Sequence, residues 1–194
     1  MPPRRPKLIL ASRSPQRRQL LAAAGYEFEI VPPLDVDECG ICSRKSPAEL
    51  VARLALEKAS DVAVQVGQGL ILACDTVAEC DGQVLGKPEN ESLARRMLEM
   101  LSGREHRVLS GVCLWKLPER DPLIRIAMTR LKMDHLSPAD LAAYVESWQW
   151  EGKAGGFGYQ DRLGWVKVLE GSESNVIGLP MELLGEMIEQ IAKP

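Results

Sequence analysis

Apolar positions along this chain fall into short continuous runs and longer stretches at helical period. The runs at residues 8–12 and 27–31 and the segment "LILACDTVAE" read as buried strands, the last finishing in hydroxyl and acid. Pro15 can open a helix over 16–24 that Gly25 stops. The stretch "PAELVARLALEKASDVAV" carries apolar residues at helical spacing, and Ser46 with Glu49 predicts a capping box ahead of it. "CDGQVLG" predicts a hairpin turning at Asp81-Gly82. Asn90 caps a helix running to about Leu101, which Gly103 closes. Residues 107–116 and 123–133 read as long paired strands, and Ser137-Pro138 starts a helix to about Ser147. The glycine-rich "EGKAGGFGYQDRLGW", a strand over 165–169, the loop "EGSESNVIGLP" and a last helix from Met181 follow. Strands and helices alternate early and the middle is antiparallel in pattern, so the expected class is α/β with a mixed sheet.

Composition narrows the function classes. The 194 residues can bury a substantial core, with 45% apolar and 26% charged residues as in ordinary globular proteins. A net charge of -3 argues against nucleic-acid binding, which needs a basic balance or patch. No apolar run is long enough to span a bilayer, and the run after "MPPRRPK" is too short for a signal peptide, so a cytoplasmic protein is expected. Five cysteines, an odd number, fit reduced thiols. Cys39 and Cys42 form a C-x-x-C pair, but no second Cys/His pair stands at zinc spacing and the pair lies in a loop; incidental thiols are expected.

Three polar clusters stand at strand ends or in glycine-rich loops, where functional groups concentrate. The first is Ser12, Ser14, Gln16, Arg17 and Arg18, at the end of a strand and the start of a helix. A helix N-terminus favours anions, and arginine forks favour phosphate. The same residues would also serve as a plain serine cap beside solvated arginines. The second cluster is acidic: Asp35, Asp37 and Glu38, with Asp75 closing "LILACD". A carboxylate ending an apolar strand suits a metal ligand or general base, or merely initiates a turn. Like charges about 4 Å apart repel by roughly 4 kcal/mol at an effective dielectric near 20. A shared cleft for phosphate and carboxylates therefore calls for a divalent cation, Mg2+ or Mn2+.

The third cluster is Lys87 in "LGKPEN" with Lys153 and Gln160 in "GKAGGFGYQ". Glycine permits close backbone approach and lysine supplies a point charge, although each could be an ordinary loop residue. No G-x-x-x-x-G-K-[ST] is present, which argues against a P-loop enzyme. His106 and His135 have no nucleophile-elbow neighbour, and the four tryptophans suit packing.

The segments "LILASRSPQRRQLL", "DVDE", "SPAELVARLALEKA", "ACDTVAECDGQVLGKP", "LSGREHRVLSGV", "GKAGGFGYQ" and "GSESNVIGLP" resemble, in order and over nearly the whole chain, the Maf family of nucleoside triphosphate pyrophosphatases, also described as septum-formation inhibitors. The resemblance implies hydrolysis of a nucleoside triphosphate to monophosphate and pyrophosphate with a divalent cation. It also implies one domain over 1–194, an elongated mixed sheet with flanking helices forming two lobes around a cleft, related to inosine triphosphate pyrophosphatases. By position, Asp75 matches the general base and Glu38 a metal-site carboxylate, the metal being expected on Glu38 and Asp75. Ser12, Arg17, Lys58, Lys87 and Lys153 match phosphate-side or catalytic supports, and Ser14 of the first cluster is expected to bind substrate. Lys58, inside a helix, is pointed out by the resemblance alone. Homodimers are common in the family.

Base choice is the informative departure. Members acting on dTTP and UTP usually carry Arg after Ser-Pro, Thr after the catalytic Asp, and Gln in "G-I-Q-G"; those preferring 7-methyl-GTP carry Trp, Gln and Glu. Here the positions are Gln16, Thr76 and Gln160, two of three like the pyrimidine class. Losing an arginine there removes a charge-assisted bond of about 1.5–3 kcal/mol, and Arg18 points about a quarter turn or more away. "YQD" also puts Asp161 beside the selecting Gln. A dTTP/UTP or modified pyrimidine substrate is expected, with a modified purine triphosphate, or a non-catalytic nucleotide-binding regulator of cell division, as the alternatives.

Overall fold

The computed structural model describes residues 6–34, 41–42, 46–118, 121–161 and 163–192. Its first unit is β1 (Leu8–Ala11), α1 (Pro15–Ala23) and β2 (Phe28–Ile30), with β2 parallel to β1. A two-residue strand β3 (Ile41–Cys42) precedes the long helix α2 (Pro47–Val66), which Gly67 ends in a left-handed cap. From α2 the chain enters β4 (Gly69–Cys80), which lies parallel to β1 on the side away from β2.

The middle is antiparallel, as its pattern predicts. β4 turns through Asp81 (φ 49°) and Gly82 (φ 77°) into β5 (Gln83–Leu85), the positive-φ pair that a tight hairpin requires. After α3 (Glu91–Leu101), β6 (Glu105–Leu117) pairs with β4 along its length and β7 (Leu123–Met133) pairs with β6. Helix α4 (Pro138–Glu146) leads to the glycine-rich segment, folded as short turns at Ala154–Gly156 and Tyr159–Asp161, and then to the edge strand β8 (Val166–Glu170). The sheet order is β2-β1-β4-β6-β7-β8, with β3 and β5 paired beside it: a mixed α/β sheet.

Two expectations need correction. Within "EGSESNVIGLP", Ser172 caps a helical turn, α5 (Glu173–Ile177), ahead of α6 (Met181–Ala192); too few residues are involved for a helical period to show in the sequence. The capping box at Ser46 does not form, because the exposed Ser46 side chain makes no cap hydrogen bond. Pro47 opens α2 instead, at a position where its missing N–H is no loss.

Each face of the sheet carries its own packing. Alternation along β4 puts Leu70, Leu72, Cys74, Thr76 and Ala78 on one face and Ile71, Ala73, Asp75 and Val77 on the other. Helix α2 covers the second face through a buried stripe of Leu50, Val51, Leu54, Ala55, Lys58, Ala59 and Val62. It lies so close that a Cβ at Gly111 of β6 would stand 2.2 Å from the Val51 carbonyl oxygen. On the first face, α6 packs with α1's Leu21 near β1, while α3 packs toward the β4–β5 end through Ala94, Met97, Leu98 and Leu101. No helix among the described residues is long and apolar enough to cross a membrane.

Candidate active site

Chain order places the site. From β1 the chain runs through α1 to β2 on one side, then through α2 to β4 on the other. The carboxyl end of β1 is thus a topological switch point, where α/β sheets open a crevice. β1 pairs with β4 only as far as Ala73, and β5 takes up that edge from Ala78. Among the described residues, no strand pairs with residues 74–77 on that edge. Groups from both faces of β4 can meet there.

Ser12 follows β1 and is buried; its Oγ accepts from the Ser14 amide at 3.1 Å and from Arg17 Nη1 at 3.2 Å. Ser14 caps α1, its Oγ accepting from the Arg17 amide at 3.4 Å and donating to Gln16 Oε1 at 2.9 Å. Arg17 then reaches across the opening, Nη2 donating to Thr76 Oγ1 at 3.1 Å and Nε to the Gly178 carbonyl at 2.8 Å. Thr76 Oγ1 also lies 2.8 Å from Ser110 Oγ on β6. The Cys74 thiol donates to the same Gly178 carbonyl at 3.3 Å; burial pushes this thiol up, so it stays a donor. The end of α5 thereby fixes the guanidinium plane. Ser110 and Gly178 are supports the sequence reading missed. Ser110 carries a signal, a hydroxyl interrupting the apolar run "VLSGV".

Asp75 faces the opposite way from Thr76, toward α2. Lys58 donates to its Oδ1 at 2.5 Å, and both side chains are only 8% exposed. Asp75 also lines a small cavity of about 30 Å³ shared with Arg17, Thr76 and Lys87, room for one water. Lys87, on the loop after β5, borders this cavity and the larger one beside it.

The larger cavity, about 490 Å³, receives Ser12, Ser14, Gln16, Arg17, Lys58, Thr76, Lys87, Lys153 and Gln160 together. Its lining holds five cations, Arg13, Arg17, Lys58, Lys87 and Lys153, against one carboxylate, Glu151; Asp75 and Asp161 just outside the lining pair with Lys58 and Lys153, and the positive excess that remains favours a polyanion. Its far wall is apolar: Ala78, Leu101, Val108, Leu131, Phe157 and Val166, with His106 among them. Arg18 is exposed and does not line the cavity, so it does not stand in for an arginine at position 16. The three base-selecting positions of the resemblance, Gln16, Thr76 and Gln160, share this one space.

Lys153 lines the cavity with its ammonium already engaged. Both Asp161 carboxylate oxygens lie 2.6 Å from Nζ, and Tyr144 donates its hydroxyl to Asp161 Oδ2 at 2.7 Å. A Cβ at Gly158 would fall 2.5 Å from Lys153 Nζ and 2.7 Å from Asp161 Oδ2, so glycine there admits the pair.

Asp35, Asp37, Glu38 and Cys39 lie outside the described residues, as does the side chain of Cys42. Among the described residues no group of three or more His, Cys, Asp or Glu is placed to hold a metal ion. Asp75 is nonetheless a hard oxygen donor with one oxygen on Lys58, bordering a cavity lined by cations that suit phosphate. That donor set fits Mg2+ or Mn2+, which take one or two carboxylates together with phosphate oxygens. Cys74, Cys80 and Cys113 are buried free thiols.

Over residues 7–191 the sequence matches the family described as Maf-like protein. A Rhodopirellula baltica protein named dTTP/UTP pyrophosphatase is 54% identical over 183 residues, covering 94% of this chain and 81% of that protein. Proteins of the same name from Geotalea uraniireducens and Ruminiclostridium cellulolyticum are 42% and 39% identical, covering 90% and 95% of this chain and 89% and 95% of their own lengths.

Proposed function

The chain belongs to the Maf-like protein family, and we propose that it hydrolyses dTTP, UTP or a modified pyrimidine nucleoside triphosphate to the monophosphate and pyrophosphate. The observation that carries this reading is the meeting of two groups across the unpaired edge of β4. Arg17 is spread over Ser12, Thr76 and Gly178 on one face, and the Lys58–Asp75 pair stands on the other. The names of the relatives support the pyrimidine substrate.

In this mechanism the triphosphate lies along the cations of the cavity, with Ser12, Ser14, Arg17, Lys87 and Lys153 toward the phosphates. Gln16 and Gln160 face the rest of the nucleotide, and Thr76 holds the Arg17 guanidinium. Water in the small cavity attacks the α-phosphorus, and Asp75 accepts its proton. The α–β anhydride bond breaks and pyrophosphate leaves with the bonding electrons. Lys58 keeps the carboxylate in position, so little reorganisation is needed at the moment of reaction. Asp75 and Glu38 are the residues that would hold a divalent cation, which neutralises phosphate charge when bound.

A panel of nucleoside triphosphates with purified protein and Mg2+ or Mn2+ tests this, with pyrophosphate and orthophosphate measured separately. Pyrophosphate with a preference for dTTP or UTP is expected. Orthophosphate alone would overturn the reaction class, and preference for a modified purine triphosphate would overturn the substrate.

A further inference from the structure

His106 is a buried polar group on the apolar wall of the main cavity that the mechanism above does not use. It is 6% exposed and alternates along β6 with Val108 and Ser110 on the cavity face. Ser110 marks the Arg17–Thr76 end. Four residues of strand separate His106 from it, about 13 Å, room for the sugar and base of a nucleotide whose phosphates lie at Arg17. Its neighbours there, Leu101, Val108, Leu131, Phe157 and Val166, suit the faces of a base, with Gln160 as a second polar group.

The imidazole has a defined donor pattern. Nδ1 lies 3.5 Å from the carbonyl oxygen of Arg104, which can only accept, so the proton belongs on Nδ1 and Nε2 carries the lone pair. Nε2 makes no hydrogen bond to any described residue. Nor is it sealed: the buried side-chain polar atom left without a partner among the described residues is Asn175 Oδ1. Nε2 therefore keeps contact with the cavity as an acceptor. Burial lowers the pKa of His106 below its ordinary value, more than the Arg104 carbonyl and the Glu79 charge raise it, which keeps the ring in this form.

We propose that His106 reads the base of the bound nucleotide, its Nε2 accepting the N3–H of uracil or thymine. Cytosine presents an acceptor at N3, so the same contact sets two lone pairs against each other. The inference rests on the nucleotide reading of the cavity and adds the group that discriminates within the pyrimidines.

The test compares kcat/KM for UTP, CTP and 3-methyl-UTP. The unaltered protein is expected to favour UTP over each of the others by about tenfold or more. His106→Phe, which keeps volume and removes the acceptor, should lower the UTP:CTP ratio by about tenfold with pyrophosphate still released. His106→Gln, which restores an acceptor, should recover part of the ratio. An unchanged UTP:CTP ratio in folded His106→Phe would overturn the assignment. If that variant does not fold, equal use of UTP and 3-methyl-UTP by the unaltered protein does so. If no triphosphate yields pyrophosphate, the enzymatic reading fails by itself. The UTP:CTP affinity ratio measured by calorimetry, with and without His106→Phe, then decides the role of His106 separately.

Discussion

Both carboxylate oxygens of Asp161 lie 2.6 Å from the Lys153 ammonium, in a pair whose side chains are 12% and 13% exposed. A lysine expected on the phosphate side is thus neutralised before any phosphate arrives. Asp161→Asn leaves an acceptor for Tyr144 but strips the charge from beside a mostly buried ammonium. Without ligand the variant should lose about 1–3 kcal/mol, less than the 3–5 of a fully buried pair, and several degrees in Tm. A bound triphosphate should compensate the freed lysine, so the Tm gain on adding a non-hydrolysable analogue should exceed that of the unaltered protein. An equal gain in the two proteins would separate Lys153 from the phosphates.

The Lys58–Asp75 pair separates stability from chemistry. Asp75→Asn should reduce turnover by at least about a hundredfold, the scale of losing a general base. Lys58→Met leaves the Asp75 carboxylate buried without its ammonium and should cost about 3–5 kcal/mol in denaturant unfolding. Combining the two removes the stranded charge. The double variant should regain most of the stability of Lys58→Met and none of the activity. Parallel recovery of both quantities would show that Asp75 serves the fold alone.

Gly111 contributes through α2 rather than through its own chemistry. A Cβ there would lie 2.2 Å from the Val51 carbonyl oxygen and 2.7 Å from the Ala52 amide nitrogen, both backbone atoms that cannot swing aside. Gly111→Ala must therefore push α2 off the sheet, carrying Lys58 with it. Overpacking of this kind costs about 1–3 kcal/mol or more. Turnover should fall by more than the lost stability explains, because the displaced helix also bears the Asp75 partner. Activity measured well below the variant's Tm checks this.

These residues also show what the sequence could and could not reveal. Strand ends and turn residues marked Ser12, Arg17, Asp75 and Lys87, because their chemistry interrupts apolar runs. Lys58 left a fainter signal. It occupies the stripe of Leu50, Leu54, Ala55 and Val62, where a lone cation on a buried helix face requires a buried partner. The partner comes from a strand 17 residues away, so only packing reveals it. Asp161 adjoins Gln160 in the sequence, yet its pairing with Lys153 depends on the turn at Gly158. His106 carries no sequence signal of its own, because its surroundings are the cavity that β6, β7 and the loop around Phe157 form together. Side chains contributed by several elements to one space leave no periodic trace in any one of them.

Gln16 is the position where this chain departs from the pattern of dTTP/UTP enzymes while its relatives carry that name. The side chain lines the cavity, and its Oε1 takes the Ser14 hydroxyl, which also caps α1. Gln16→Arg would exchange that local bond for a cation facing the nucleotide. A charge-assisted bond of about 1.5–3 kcal/mol corresponds to a roughly ten- to hundredfold gain in kcat/KM for UTP and dTTP. Arg18→Gln is the matched control. It alters a nearby cation that is exposed and outside the cavity lining, and should leave UTP turnover within about twofold. A loss with Arg18→Gln as large as the gain with Gln16→Arg would mean that general charge, not the geometry of position 16, governs base selection. A gain confined to Gln16→Arg, measured over the same panel of triphosphates, would place that selection at the start of α1.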